Sequence, residues 1–420
     1  MPSSAPITAA LGLGADRPTS LRIGGHARQR ESRLNGIVLN LERRLSQAPM
    51  HTIEGVTMRL EVEAALVEGK LVRGGVEVAD GVVTAVGLAG TSASARGRIA
   101  VPGFVDLQVN GFAGVDLMEA DRGGYVRVGA ALLETGTTAY QPTFVTAPED
   151  ALVAALRELP IGQDGPRIVG AHLEGPFLSP HRLGVHPPAS RRDPDRALLL
   201  RLLDATPVSQ VTLAPELPGA LDLVDLLIER GVAVSAGHSD ATSDEAHRGF
   251  DRGVGTVTHL FNAMRPLAPR DPGIALAALA RSDVTVQLIA DGHHLAAETM
   301  LVACRAARGR FALVTDATAA ARMGDGEFTL AGRRVVSAAG VVRTPEGQLA
   351  GSTLTMLDAV RNVHALGIRL DEALTAATAV PAAIVGQADL GRLAPGSRAD
   401  VVVLDDNLEI ARVLIDGRPV

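Results

Sequence analysis

The chain has 420 residues, long enough for one large domain with a smaller companion. Its net charge of −7 argues against a nucleic-acid or anionic-membrane partner, and no apolar stretch reaches the roughly 18 residues of a membrane-spanning helix. The single cysteine, Cys304, excludes an internal disulfide framework and a metal site built from several cysteines. We therefore expect a cytoplasmic protein.

Residues 1–57 differ in composition from the rest of the chain. They are rich in Arg, Ser and Pro, as in "RPTSLRIGGHARQRESR", and lack the apolar region of a secretory signal. We predict a disordered N-terminal extension. The alternatives are a translation start at Met58 and a targeting or interaction arm.

Both ends of the remaining chain have a strand-like pattern. The segment "AALVEGKLVRGGVEVADGVVTAVG" consists of short β-branched runs separated by glycine, and "RADVVVLDDNLEIARVLIDGRPV" at the C-terminus repeats the pattern. We predict a small β-sandwich domain built from both chain ends, residues 58–101 plus 381–420.

The middle, residues 102–380, alternates apolar strand patterns with helical ones. The strand candidates are "FVDLQVNG", "TTAYQPTF", "RIVGAHLEG", "QVTLAPE", "VAVSAGHS", "TVTHLFNA", "TVQLIADG" and "FALVTDAT". Helical patterns include "DLVDLLIERG" (Asp222 to Gly231) and "AAETMLVACRAARG". Eight such units predict the α/β class and a (β/α)8 barrel of the TIM type.

Polar residues gather at the ends of these strands, where barrel enzymes carry their chemistry. The end positions are Gln108, Asn110, Glu174, His238, His259, Asp291, His293, His294 and Asp316. A lone histidine at a strand end is more often structural, but so many at one rim indicate a site. Glu174, His238 and His259 are typical ligands of Zn²⁺ or another divalent metal with an open position for water, and Asp316 is suited to accept and return a proton.

The Gln108-x-Asn110 pair places two amides on one side of a strand. A polar turn is the simpler interpretation, because Asn110 precedes Gly111.

Ordered motifs from about Ala64 to the C-terminus resemble the N-acetylglucosamine-6-phosphate deacetylase family of the amidohydrolase superfamily. They are "PGFVDLQVNGFAGVD", "HLEGPFLSP", "GVHPP", "VSAGHSDAT", "THLFNAMRPLAPRDPG", "ADGHHL", "LVTDA" and "LAGSTLTM". Many superfamily members carry His-x-His where this chain has Gln108 and Asn110. Neutral amides are poorer ligands, so the resemblance implies the mononuclear branch, with Gln108 orienting the water or lining the site. The only lysine, Lys70, lies outside the barrel, which excludes a lysine-bridged pair of metals.

The resemblance also implies roles for further residues. His186 would bind the acetyl carbonyl and stabilise the oxyanion, and Asp316 would act as base and then as acid. Asn262, Ala263 and Arg270 would hold the sugar phosphate, although Arg270 taken alone favours a solvated loop charge in "APRDPG". The implied substrate-binding set is Val185, Asn262, Ala263, Arg270, Asp291, His294, Leu349, Ala350 and Gly351. His172 and His293 have no assigned role; His172 alternates with Glu174 and faces either the pocket or the core.

The implied reaction is hydrolysis of the acetamide of N-acetyl-D-glucosamine 6-phosphate, in amino-sugar catabolism and cell-wall recycling. It requires one divalent metal per chain, with zinc favoured over iron, cobalt or manganese, and the resemblance implies a homodimer. One alternative is the galactosamine epimer or a broader N-acetylhexosamine phosphate range. Another is a non-catalytic barrel for sugar sensing or assembly.

Overall fold

The structure, a computed structural model, describes residues 57–89 and 95–420. The predicted extension 1–57 lies outside the described residues, except that Thr57 begins the first strand. Among the described residues, no helix has the length and apolar character that crossing a membrane requires.

The described strands are numbered in chain order. Six precede the barrel: β1 Thr57–Leu60, β2 Ala64–Val67, β3 Lys70–Arg73, β4 Gly75–Ala79, β5 Val82–Leu88 and β6 Ile99–Pro102. The next are β7 Phe104–Val109, β8 Gly111–Phe112, β9 Val115–Asp116, β10 Thr137–Val145, β11 Arg167–Ile168, β12 Ala171–Glu174, β13 Val208–Leu213, β14 Ala233–Ala236, β15 Thr256–Val257, β16 Thr285–Ile289 and β17 Phe311–Val314. The last are β18 Gly326–Leu330, β19 Arg333–Ala338, β20 Val341–Arg343, β21 Leu349–Ser352, β22 Val401–Leu404, β23 Ile410–Ile415 and β24 Arg418–Pro419.

The α-helices of the described residues mostly alternate with the barrel strands. They are α1 Arg122–Glu134, α2 Glu149–Arg157, α3 Arg196–Leu203, α4 Ala220–Glu229, α5 Ser243–Arg252, α6 Gly273–Ala280, α7 Ala297–Ala306, α8 Met356–Ala365, α9 Leu370–Ala376 and α10 Ala379–Ile384. Helix α4 ends two residues before the predicted boundary, because Gly231 adopts a left-handed conformation (φ 68°) that stops it.

Eight parallel strands form the barrel, in the order β7, β10, β12, β13, β14, β15, β16 and β17. These are the eight strands predicted from the sequence, so the predicted fold class is confirmed. The barrel closes between its last and first strands, where the Asn110 N–H donates to the Ala317 carbonyl at 2.8 Å. Residues of β7, β10 and β12 are buried throughout, because one face of each strand packs on the barrel helices and the other fills the interior.

A separate sheet domain is built from both ends of the described chain. One sheet has the order β1-β4-β5, and the other β24-β23-β22-β6-β2-β3. They share a core of small aliphatic side chains that includes Val76, Val83, Val401 and Leu414. Lys70 lies in this domain, on β3. The exact boundaries 58–101 and 381–420 stay a prediction.

A four-stranded antiparallel sheet, β18-β19-β20-β21, follows the last barrel strand. The sequence analysis did not predict it. Leu330 at the end of β18 and Leu349 at the start of β21 both reach the cavity described below. This sheet therefore forms one wall of the candidate site.

A layer of polar side chains fills the barrel below its rim; we call it the lower layer. His172 contacts hydroxyls through both ring nitrogens, with Nδ1 3.1 Å from Thr143 Oγ1 and Nε2 2.7 Å from Thr212 Oγ1. Thr212 bonds to Thr258 at 2.8 Å, and Thr258 bonds to Ser235 at 2.5 Å. Both ring nitrogens of His172 therefore have a hydroxyl partner, as buried polar groups require.

Candidate active site

Sharp turns at the strand ends hold the polar residues of the rim. His238, His259 and Asp316 all have positive φ, at 48°, 32° and 50°. Non-glycine residues rarely adopt this left-handed conformation, and strained backbone of this kind clusters at active sites. Each residue follows a barrel strand, so the turns direct the three side chains toward the barrel axis.

Glu174, His238 and His259 bring three ligand atoms together; we call them the metal group. Their ligand atoms lie within 4.8 Å of one another, and all three residues are buried. Glu174 Oε1 is 3.2 Å from His238 Nε2 and 2.9 Å from His259 Nε2, and the two imidazole nitrogens are 3.1 Å apart.

The hydrogen bonds of His238 show that this group fits a cation. His238 Nδ1 donates to the Arg182 carbonyl at 2.9 Å, so in the neutral ring Nε2 carries a lone pair. That lone pair faces the Glu174 carboxylate, which is also an acceptor, and His259 Nε2, whose ring has no partner at Nδ1 among the described residues. A proton on His259 would satisfy only part of this arrangement, whereas a divalent metal would satisfy all three atoms at once. Burial acts to raise the pKa of Glu174, but its close contacts with the His238 and His259 rings and the neighbouring His186 hold it well below its usual range.

Gln108 and Asn110 each donate to one of the two carboxylates of the site. Gln108 Nε2 is 3.2 Å from Glu174 Oε1, and Asn110 Nδ2 is 2.6 Å from Asp316 Oδ1. Asn110 is therefore more than a turn residue. Gly111 is nevertheless required after it, because a Cβ there would lie 2.4 Å from the Val115 carbonyl oxygen.

Asp316 lies two residues beyond the end of β17 and is buried. Burial and the neighbouring Glu174 charge raise its pKa to about 7, while the hydrogen bond from Asn110 acts in the opposite direction. A carboxylate with a pKa near neutrality can both accept and return a proton.

His186 presents a protonated nitrogen to the same space. The Thr146 backbone N–H donates to His186 Nδ1 at 3.2 Å, which leaves the proton on Nε2. Burial and the neighbouring His238 lower the pKa of His186 to about 3. The ring is thus a neutral donor, with Nε2 3.7 Å from Glu174 Oε2.

All of these side chains except Gln108 line a cavity of about 300 Å³. Of the residues predicted from the sequence, those that line it are Asn110, Glu174, Val185, His186, His238, His259, Asn262, Ala263, His294, Asp316, Leu349 and Gly351. The structure therefore brings most of the predicted set to one place.

Six predicted or unassigned residues lie elsewhere, and one of them is His172 in the lower layer. Gln108 sits behind Glu174, and Ala350 is buried in the core of the β18–β21 sheet. Asp291 contacts His294 instead of lining the cavity, since its Oδ2 is 2.7 Å from His294 Nδ1. Arg270 and His293 are exposed and outside the cavity lining.

Other lining residues were not predicted: Val145, His181, Arg182, Gly184, Ile289, Leu330 and Gln348. Arg182 falls in the gap between "HLEGPFLSP" and "GVHPP", so its position between two site motifs was the signal that could have identified it.

His172 lies in the lower layer, where burial lowers its pKa to about 4.

Comparison with known proteins places the chain in a family. The model of the amidohydrolase family matches residues 99–420. The chain is 38% identical over 350 residues to an N-acetylgalactosamine-6-phosphate deacetylase of Escherichia coli O157:H7, an alignment that covers 81% of this chain and 93% of that protein. It is 37% identical over 329 residues to the N-acetylglucosamine-6-phosphate deacetylase of Vibrio furnissii, with 76% and 82% covered.

The chain belongs to the amidohydrolase family, among the N-acetylglucosamine-6-phosphate deacetylases. A solved structure agrees: a mutant of the Mycobacterium smegmatis N-acetyl-D-glucosamine-6-phosphate deacetylase, in complex with N-acetyl-D-glucosamine 6-phosphate, superposes with a TM-score of 0.81. It is 36% identical, and the match covers 87% of this chain and 99% of that one. The predicted family membership and enzyme class are thereby confirmed.

Proposed function

We propose that this chain hydrolyses the acetamide of N-acetyl-D-glucosamine 6-phosphate, giving D-glucosamine 6-phosphate and acetate. The observation that carries the proposal is that the metal group, the Asp316 carboxylate and the His186 Nε2–H donor share one cavity in a deacetylase-family chain. A non-catalytic barrel for sugar sensing or assembly would have no need of a base beside a metal group.

The chain's own residues have distinct roles in this reaction. His186 donates its Nε2–H to the amide oxygen and stabilises the negative charge that develops there. Asp316 accepts the proton of the attacking water and then delivers it to the departing amine nitrogen. Asn110 orients the Asp316 carboxylate through its 2.6 Å hydrogen bond.

One divalent metal per chain is part of the proposal, bound by Glu174, His238 and His259. When bound, it supplies a Lewis acid that polarises the amide and lowers the pKa of water. Two imidazoles and a carboxylate favour zinc, with iron, cobalt or manganese as alternatives.

The sugar phosphate is proposed to lie along Asn262, Ala263 and His294, which line the cavity. Asp291 holds His294 Nδ1, so its role is to orient that ring. Arg270 lies outside the cavity of its own chain, and we place it in the cavity of a second copy in a cytoplasmic homodimer.

The galactosamine epimer is a second candidate substrate. It is favoured by one observation: the relative with 38% identity is named N-acetylgalactosamine-6-phosphate deacetylase. The two sugars differ only in the orientation of one hydroxyl, so a single site can bind both.

An acetate-release assay with both phosphorylated epimers tests the proposal. The protein is loaded with Zn²⁺ first, and Glu174→Gln serves as the control that removes one metal ligand. We expect acetate and a free amine in equal amounts from N-acetylglucosamine 6-phosphate, with little from the control. Faster turnover of the galactosamine epimer would make it the preferred substrate, and no acetate from either sugar would refute deacetylation.

A further inference from the structure

Arg182 is the only lysine or arginine that lines the cavity among the described residues. Its carbonyl accepts the hydrogen bond from His238 Nδ1, so the backbone is fixed against the metal group. Its side chain is 29% exposed and is therefore accessible to a ligand.

Asp240 holds this guanidinium by one atom only. Arg182 Nε donates to Asp240 Oδ1 at 2.7 Å, and neither Nη atom has a hydrogen-bond partner among the described residues. Asp240 is itself fixed, since its backbone N–H donates to Glu216 Oε1 at 2.7 Å and Arg265 Nη1 lies 3.3 Å from its Oδ2. The guanidinium is therefore oriented, with its terminal nitrogens free to bind a ligand.

Neighbouring contacts place Arg182 at the Ala263 side of the cavity. A Cβ added to Gly184 would lie 3.7 Å from Ala263 Cβ and 3.2 Å from His238 Cε1. Arg182 and Arg265 also share the Asp240 carboxylate. Segments 182–184 and 263–265 thus run beside each other at this end.

A cation at the Ala263 end of the cavity suits a phosphate group. Glu174 and Asp316 are both acidic, and the proposed metal would offset their charge at its own position. A phosphate group farther along the cavity is stabilised by a positive group close to it. Arginine meets phosphate with paired donors in a fixed geometry. Within one chain, no other permanently charged cation of the described residues lines this space.

We propose that Arg182 binds the phosphate of the substrate in its own chain through its Nη atoms, with Asp240 orienting the guanidinium. This inference rests on the proposed function, because it assigns the phosphate of that substrate to a residue. It makes Arg182 a determinant of specificity for phosphorylated over unphosphorylated sugars.

The test compares kcat/KM for N-acetylglucosamine 6-phosphate and for N-acetylglucosamine in the full chain loaded with Zn²⁺. Arg182→Ala should lower the value for the phosphorylated sugar about ten- to a hundred-fold, as expected for lost hydrogen bonds to a charged group. The value for N-acetylglucosamine should change by less than about twofold, and Arg182→Lys should recover part of the loss. Arg265→Gln is the matched control: it loosens the same Asp240 but removes no cavity cation, so it should not discriminate between the two sugars.

An equal loss for both sugars in Arg182→Ala would overturn the proposal, because the residue would then act by supporting the His238 loop. No loss for either sugar would also overturn it. Should Arg182→Ala not fold, Arg182→Gln gives the same comparison with a polar side chain that can still reach Asp240. Wild-type protein without activity on the phosphorylated sugars would instead refute the proposed function.

Discussion

The lower layer of the barrel and the metal group above it are both buried and polar, but their hydrogen bonds differ. In the lower layer, both nitrogens of His172 contact threonine hydroxyls, which can donate or accept. In the metal group, an oxygen of Glu174 and the Nε2 atoms of His238 and His259 face one another at about 3 Å. A satisfied layer stabilises the fold, whereas three converging ligand atoms suit a cation. His172 and Glu174, two residues apart on β12, thus belong to a structural layer and to a chemical one.

Replacing Asp316 should have the largest effect on catalysis, so it tests most directly whether the upper site carries out the chemistry. Asp316→Asn keeps the shape and the contact with Asn110 but removes the proton acceptor. We expect kcat to fall about 10²–10⁴-fold, because the same residue serves as base and acid. Metal content by elemental analysis and substrate binding should stay near wild type. Nearly full turnover in this variant would remove Asp316 from the mechanism.

Gln108 supports the metal group from behind, so its loss should weaken metal binding more than chemistry. Gln108→Ala removes the donor to Glu174 Oε1. Loss of such a partner of a metal ligand typically costs about 10–100-fold in affinity. Titration of metal-free protein with buffered Zn²⁺ measures this, and kcat at saturating metal should be close to wild type. Unchanged metal affinity would mean that Gln108 only fills space.

Asn110 should control the pH dependence instead. Its amide stabilises the charged form of Asp316 and so lowers the pKa of that carboxyl, against the raising effect of burial. Asn110→Ala should therefore raise the pKa, and the acidic limb of kcat/KM should move to higher pH by on the order of one unit. Gln108→Ala is the control, since Gln108 donates to the other carboxylate. A shift to lower pH would contradict the assignment of Asp316 as the base.

Much of this arrangement could be predicted from the sequence, because strand ends are visible as polar residues after apolar runs. That pattern located Glu174, His238, His259 and Asp316 and indicated that Gln108 and Asn110 share a side. The partners of the two amides could not be predicted, since they depend on how distant strands meet. Arg182 was missed for the same reason: its orientation depends on Asp240, which belongs to another loop. The β18–β21 sheet carries no motif of its own and was also missed.

His172 should show the smallest effect on activity and a clear effect on stability. His172→Ala leaves the Thr143 and Thr212 hydroxyls without their imidazole partner. We expect the free energy of unfolding to fall by about 1–3 kcal/mol, the usual cost of an unsatisfied buried group. Turnover per folded molecule should stay within a few-fold, as measured by chemical denaturation beside kcat. If kcat instead fell as far as in Asp316→Asn, the lower layer would belong to the chemistry.

The metal content of active protein tests the central claim most directly. The metal group offers three ligand atoms at one point, and the amides of Gln108 and Asn110 donate to the carboxylates of the site. Elemental analysis should return close to one divalent metal per chain, and activity removed by a chelator should return fully at about one equivalent. Close to two metals per chain, or full turnover in metal-free protein, would contradict the account.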